Sequence, residues 1–406
     1  MPVGLSETTE LLPVKGITLS SCSANIYENN RHDMALVEIP VESSFSCVFT
    51  TNRFCAAPIK IAKSHLQQSS PRYLLINAGN ANAGTGERGE NDAATLCRAL
   101  SEIANCELTQ VLPFSTGVIG EFLPVSNMRS VLPNLIENLS ETNWSHAAKA
   151  IMTTDTVSKA ISKSLLIDDK EITISGMCKG SGMIRPDMAT MLAYIATDAA
   201  IDSSLLQELL TELVNQSFNR ITVDGDMSTN DACVLIASGK AGNPIIKSVG
   251  DNGYQLLYEA LLEIFSYLAK AIVRDGEGAS KFVSITVKNA LTNQDSLKVA
   301  YQIASSPLVK TALTASDANW GRILAAIGSA NVTSMDIKQV DIFLGDICIV
   351  RNGERASEYS DDQGQAIMQN EEISILVDMK LGESIETVWT SDLSHEYIRI
   401  NAEYRT

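Results

Sequence analysis

Apolar residues along this chain switch repeatedly between a period of two and a period near 3.6, which predicts alternating strands and helices and an α/β (α+β) architecture rather than a helical bundle or a plain sandwich. "ALVEIP" (35–40) and "SCVFTT" (46–51) read as strands, and "YLLINAGNANAGTG" (73–86) as an apolar strand opening into a glycine- and asparagine-rich loop. "NDAATLCRALSEIA" (91–104) follows as a helix, and "VLPFSTGVIG" (111–120) as a short strand ending in Ser115-Thr116-Gly117. "HAAKAIMTTDT" (146–156) predicts a helix running into a polar loop. In "KSLLIDDKEITISGMCKG" (163–180) two β-branched runs flank Asp168-Asp169-Lys170, the pattern of a hairpin.

In the second half, "MLAYIATDA" (191–199) is uncharged until Asp198 and predicts a buried strand, although so short an apolar run also suits a buried helix segment. "DSSLLQELLTELVNQSFN" (202–219) opens on a capping aspartate and spaces its leucines helically. "ITVDGDMSTNDACVLIASG" (221–239) reads as strand, acidic glycine turn, strand. Leu257, Leu261, Ile264, Phe265, Leu268 and Ile272 share one helical face over 255–273, and Val283, Ile285 and Val287 then alternate with polar residues as in a half-buried strand. The terminal "HEYIRINAEY" (395–404) alternates apolar residues like a docked final strand. No repeat, low-complexity tract or long linker marks a boundary between independent domains.

Composition narrows the function classes. A chain of 406 residues with an ordinary apolar share can bury a large core. A formal charge of −17, with 31 basic residues scattered singly, leaves nothing to offset repulsion from a polyanion, so no nucleic-acid partner is expected. The eight cysteines include no C-x-x-C pair and the four histidines stand far apart. Reduced thiols in a cytoplasmic protein without a metal site are therefore expected. The N-terminus lacks the basic and apolar regions of a secretory signal, and no apolar run approaches membrane-spanning length, so no membrane partner is expected.

The chemistry concentrates in "KGSGMIRPDMATMLAYIATDA" (179–199), where a glycine-bracketed turn runs through Pro186 into Met188-Ala189-Thr190. Were the Ala189–Thr190 bond broken, Thr190 would hold a nucleophilic hydroxyl and its own α-amine as base, and no histidine would be required. Gly180, Gly182 and Pro186 suit a turn that pins the Ala189 carbonyl for attack by the Thr190 hydroxyl. On its own, M-A-T equally describes an ordinary threonine opening a strand. "STGVIG" offers Thr116 and Gly117 as donors to a developing oxyanion, and equally a plain strand-ending turn. Lys179 is either a solvated lysine at a strand end or, ahead of its Gly-Ser-Gly turn, a partner for a carboxylate. Glu277, in "DGEGA", is either a surface residue past a helix or one whose flanking glycines let the backbone approach a ligand.

The 179–199 stretch resembles the signature of the ornithine acetyltransferase, or glutamate N-acetyltransferase, family (ArgJ-type enzymes). "VFTTNRFCAAP" (48–58), "NAGNANAGTG" (77–86), "STGVIG" (115–120), "IMTTDT" (151–156), "VDGDMSTND" (223–231), "DGEGASK" (275–281), "SDANWGR" (316–322) and "INAEYRT" (400–406) also resemble family segments, in family order. Ala78 and Gly84 depart from the pattern, where serine and cysteine are expected, as do Arg185 and Asp187 beside Pro186. The resemblance implies a self-processing fold of the N-terminal-nucleophile kind with an αββα-layered core. It implies an alpha chain 1–189 and a beta chain 190–406, interlaced in one core, with a smaller lobe within 300–390. It also implies cleavage between Ala189 and Thr190, Thr190 as nucleophile and Thr116 and Gly117 as the oxyanion hole. Thr156, Lys179, Thr190, Glu277, Asn401 and Thr406 match substrate-binding positions. The implied reaction passes acetyl from N2-acetylornithine to L-glutamate by a ping-pong route without a cofactor. The implied assembly is two copies of each fragment. Whether acetyl-CoA is a second donor is written in no motif. An amide hydrolase of related fold and an uncleaved binding protein stand as the rival readings.

Overall fold

The computed structural model describes residues 2–8, 10–185 and 191–403. In chain order the first part runs β1 (Thr18–Cys22), β2 (Met34–Glu38), β3 (Ser44–Phe49), α1 (Ala57–Leu66), β4 (Tyr73–Asn80), α2 (Gly86–Ala104), β5 (Val111–Val118), α3 (Val125–Glu137), α4 (Trp144–Ala150), β6 (Lys159–Ile167) and β7 (Lys170–Lys179). Beyond residue 190 come β8 (Leu192–Thr197), α5 (Ser203–Gln216), β9 (Ile221–Thr222), β10 (Ala232–Ala237), α6 (Tyr254–Arg274), β11 (Phe282–Ala290), α7 (Asn293–Ala304), α8 (Pro307–Thr314) and α9 (Trp320–Gly328). The chain closes with β12 (Asp341–Leu344), β13 (Ile347–Arg351), β14 (Glu354–Arg355), α10 (Asp361–Met368), β15 (Glu372–Asp378), β16 (Ser384–Ser391) and α11 (His395–Glu403).

Two sheets stack face to face, in the orders β1-β2-β4-β5 and β3-β10-β8-β7-β6. Alternation along each strand divides its side chains between two cores. On β4 and β5, Leu74, Ile76, Leu112 and Phe114 meet Leu192, Tyr194, Val234 and Ile236 between the sheets. The opposite face of the first sheet, with Leu36, Tyr73, Leu75 and Val111, packs on Leu96 and Leu100 of α2 and Met128 and Leu132 of α3. The outer face of the second, with Ile174, Ala193, Ile195, Cys233 and Leu235, packs on the leucines of α5 and the apolar face of α6. The layers are therefore α, β, β, α. Each fully buried aliphatic side chain contributes about 1.5–3 kcal/mol to this stack.

A seven-stranded sheet, β14-β13-β12-β15-β11-β16-β9, follows, and α7, α8, α9 and α10 pack with it around a core of its own. The two-residue β9 joins this sheet to the stack, because Ile221 and Thr222 pair with Trp389 and Thr390 of β16. The 168–170 turn is a tight hairpin: Asp168 and Asp169 take φ of 48° and 60°, and Ile167 pairs with Lys170. The terminal segment corrects the sequence expectation, since 395–403 is helical. Arg399 pairs with Glu396 and Glu403 at helical spacing, and Ile398, which the strand reading would bury, is exposed.

Candidate active site

A cavity of about 360 Å³ opens where the ends of β5 and β7 meet the loops before β10 and after α6. Thr116, Gly117, Lys179, Glu277 and Asn401 all line it, brought from four distant stretches of sequence. Thr153, Thr154, Gly182, Asp224, Asp226, Thr229, Asn230 and Tyr397 complete much of the wall.

Thr116 and Gly117 sit at an irregularity in the β4–β5 ladder, where Asn80 pairs with both Thr116 and Val118. Gly117 has φ +129°, and a Cβ there would lie 2.3 Å from the Gly79 carbonyl carbon and 2.5 Å from the Asn80 nitrogen. Only glycine lets the two strands close at this point. Asn230 ties the loop before β10 to the same corner, donating to the carbonyls of Ala81 (2.7 Å) and Ser115 (2.9 Å).

Lys179, the last residue of β7, donates from Nζ to Thr116 Oγ1 at 3.0 Å. A hydroxyl that accepts from an ammonium keeps its own proton free to donate elsewhere, which is the property an oxyanion donor needs. Burial holds the Lys179 ammonium below the ordinary lysine range, against the pull of Asp155, Asp231 and Glu277. Lys179 and Glu277 form no ion pair with each other: Glu277 instead accepts from Asn401 Nδ2 at 2.7 Å. Gly182 makes room for that carboxylate, since a Cβ on it would stand 2.5 Å from the Glu277 carboxyl carbon, and the Glu277 N–H donates to the Ser181 carbonyl at 2.8 Å.

Both ends of the segment that carries the expected cleavage point are fastened. Asp224 accepts from the N–H groups of Met183 (2.6 Å) and Ile184 (2.9 Å) and from the Tyr397 hydroxyl (3.1 Å). Burial raises the Asp224 carboxyl above its usual value, partly offset by these backbone donors. The Ile184 carbonyl receives the Thr222 hydroxyl (2.8 Å) and the Val223 N–H (3.0 Å). Beyond the segment, the Met191 carbonyl accepts from Ala232 N (3.0 Å), and Leu192 pairs with Lys179. Ala189, Thr190 and Thr406 themselves lie outside the described residues.

Thr156 is not part of the cavity wall. Its N–H donates to Asp275 at 3.0 Å and its hydroxyl donates to the same carboxylate. Its neighbours Thr153 and Thr154 line the cavity instead. Asp224 and Tyr397 are not legible as site residues from the sequence, because an aspartate that binds the backbone of another segment, and a tyrosine that binds that aspartate, leave no local signal. The largest omission is a buried cluster behind the cavity. Lys159 Nζ donates to Asp155 Oδ1 at 2.5 Å and to Asp275 Oδ2 at 2.6 Å, and all three side chains are essentially without solvent exposure.

The ArgJ family profile matches residues 18–406, nearly the whole chain. The chain belongs to the ArgJ family. It is 50% identical over 406 residues to the arginine biosynthesis bifunctional protein ArgJ of Pseudomonas fluorescens (strain Pf0-1), with all of both chains covered. To the protein of the same name from Psychrobacter arcticus it is 50% identical over 404 residues, covering 100% of this chain and 99% of that one. Among solved structures it is similar to the ArgJ protein of Bacillus halodurans, at 40% identity, 51% of this chain, 96% of that chain and a TM-score of 0.49. Another similar structure is the ornithine acetyltransferase of Mycobacterium tuberculosis complexed with ornithine, at 26% identity, 43% and 93% coverage and a TM-score of 0.36. Of the positions singled out by resemblance in the sequence, Thr116, Gly117, Lys179, Glu277 and Asn401 are among the residues that line the cavity.

Proposed function

We propose that this chain is a self-processed acetyltransferase of arginine biosynthesis, passing acetyl from N2-acetylornithine to L-glutamate through an acetyl ester on Thr190. The observation that carries the reading is the meeting of Thr116, Gly117, Lys179, Glu277 and Asn401 around one cavity. The chain on either side of Thr190 is hydrogen-bonded next to that cavity, through Ile184 and Met191. Family membership and the full-length relatives named for arginine biosynthesis support the pathway.

In the proposed reaction the Thr190 α-amine takes the hydroxyl proton as Oγ attacks the acetyl carbonyl. Charge on the carbonyl oxygen falls to the Thr116 hydroxyl and the Gly117 N–H. The C–N bond to ornithine breaks as the leaving amine regains a proton, and the glutamate α-amine then attacks the ester and releases Thr190. Glu277 meets the distal ammonium of ornithine and Lys179 a carboxylate, so a single site serves both ligands in turn. Substrate also reaches Asn401 and the terminal Thr406 in this reading. The two fragments assemble as two copies of each, and no cofactor takes part.

Incubation with N2-acetylornithine, with and without glutamate, tests the reading. An acetyltransferase forms N-acetylglutamate and needs glutamate for turnover. Steady acetate release without glutamate would make it a hydrolase instead.

A further inference from the structure

The fully buried cluster of Asp155, Lys159 and Asp275 contributes no side chain to the cavity lining, yet its two carboxylates grip segments that do. Asp155 Oδ1 receives both Lys159 Nζ (2.5 Å) and the N–H of Gly180 (2.8 Å), the residue after Lys179. Its Oδ2 receives the N–H of Thr153 (2.9 Å), a wall residue. Asp275, two residues ahead of Glu277, receives Lys159 Nζ (2.6 Å) and the N–H of Thr156 (3.0 Å). Thr154 and Ser181 share a hydrogen bond of 2.6 Å across the same junction.

Two carboxylates and one ammonium sealed from water leave one negative charge uncompensated. Burying such a group is costly, and plain anchoring is achieved more cheaply by neutral side chains. The surplus charge has a recipient next in sequence to Gly180: the Lys179 ammonium. The groups that act on Lys179 are Asp155 from the loop after α4, Asp231 from the loop before β10, Glu277 from the loop after α6 and, in the opposite sense, Lys159 from β6. Of the carboxylates, Asp155 acts most strongly.

We infer that the Asp155–Lys159–Asp275 cluster is a positioning device that keeps Lys179 charged and aimed at Thr116, so that the Thr116 hydroxyl presents its proton to the reacting carbonyl. The role of Lys179 at Thr116 rests on the function proposed above; the charge supplied to Lys179 does not. Lys159 fixes the two carboxylates, Asp155 passes the charge and the Gly180 contact to the end of β7, and Lys179 passes the orientation to Thr116.

The test separates charge from scaffolding. Asp155→Asn keeps an acceptor for Gly180 and removes the charge, whereas Asp275→Asn disrupts the cluster from the side away from Lys179. In protein labelled at the lysine ε-carbons, the Lys179 signal is identified by its absence from Lys179→Arg and titrated by NMR. Asp155→Asn should lower the Lys179 midpoint by on the order of one pH unit, while Asp275→Asn moves it much less. In the acetyl-transfer assay Asp155→Asn should lower kcat about tenfold and bring the alkaline limb down with the midpoint. If Asp155→Asn does not fold, the alkaline limb of Lys179→Arg decides: its loss supports the relay, and an unmoved limb overturns it. An unchanged Lys179 midpoint in a folded Asp155→Asn protein, or equal shifts in both variants, would also overturn the inference. A wild-type protein without acetyl transfer would refute the proposed function and leave the NMR result standing by itself.

Discussion

In the proposed reaction Thr116 is an oxyanion donor, and the 3.0 Å bond from Lys179 leaves its proton available for that. Thr116→Ala should lower kcat about 100-fold with little change in KM, as expected when one preorganised donor is lost. A rise in KM at constant kcat would make it a binding residue instead. In the proposed reaction Glu277 divides the substrates by charge, so Glu277→Gln should cost about 1.5–3 kcal/mol with ornithine and far less with glutamate, measured as binding in a Thr190→Ala background. Equal losses for the two ligands would contradict that division. The 2.5 Å approach of a Gly182 Cβ to the same carboxyl makes Gly182→Ala a second route to the same ornithine-selective loss.

At the scale of elements, much is legible in the sequence because the signals are local. The hairpin at Asp168-Asp169 and the strand from Leu192 follow from turn chemistry and from the run of apolar residues, and both stand in the structure. Thr116, Lys179 and Glu277 can be singled out because each abuts a glycine-marked turn. The final helix escapes such a reading because Ile398, Ile400 and Ala402 alternate as a strand would, while its defining pairs, Arg399 with Glu396 and Glu403, are surface charges that a search for apolar periodicity ignores. The Asp155–Lys159–Asp275 cluster is invisible in the sequence because Lys159 and Asp275 are 116 residues apart, and only the folded chain brings them within 2.6 Å. Helix α11 buries none of its residues but carries Tyr397 and Asn401 to the cavity. Ending the chain after Ser394 removes the bonds to Asp224 and Glu277 but no buried apolar side chain, so it should cost on the order of 3 kcal/mol of stability while raising KM for both amino acids about tenfold. Thermal melting and steady-state kinetics on the shortened chain check both halves of that expectation.

For the whole molecule, the order β3-β10-β8-β7-β6 interleaves strands from either side of residue 190 within one sheet. A chain cut there keeps β7 paired with β8 and β3 paired with β10, so the fragments should migrate together in native gel filtration and part only in denaturant. The buried charges make stability depend on acid. Burial by itself would raise Asp155, but Lys159, Lys179 and the Gly180 N–H more than offset it and hold the carboxyl below the ordinary aspartate range. Its contribution is thus complete above the unfolded value, about pH 4, and is lost as pH falls through the lower folded value. In the unbroken Thr190→Ala background, the gap in unfolding free energy between the chain that keeps Asp155 and the chain with Asp155→Asn should be constant above about pH 5 and shrink below about pH 4. The central claim, that Thr190 is freed by cleavage and then acetylated, is tested most directly by intact mass under denaturing conditions before and after mixing with N2-acetylornithine alone. The account predicts fragments of residues 1–189 and 190–406, with one acetyl group added to the second. A single 406-residue chain, or a second fragment that never gains acetyl, would contradict it.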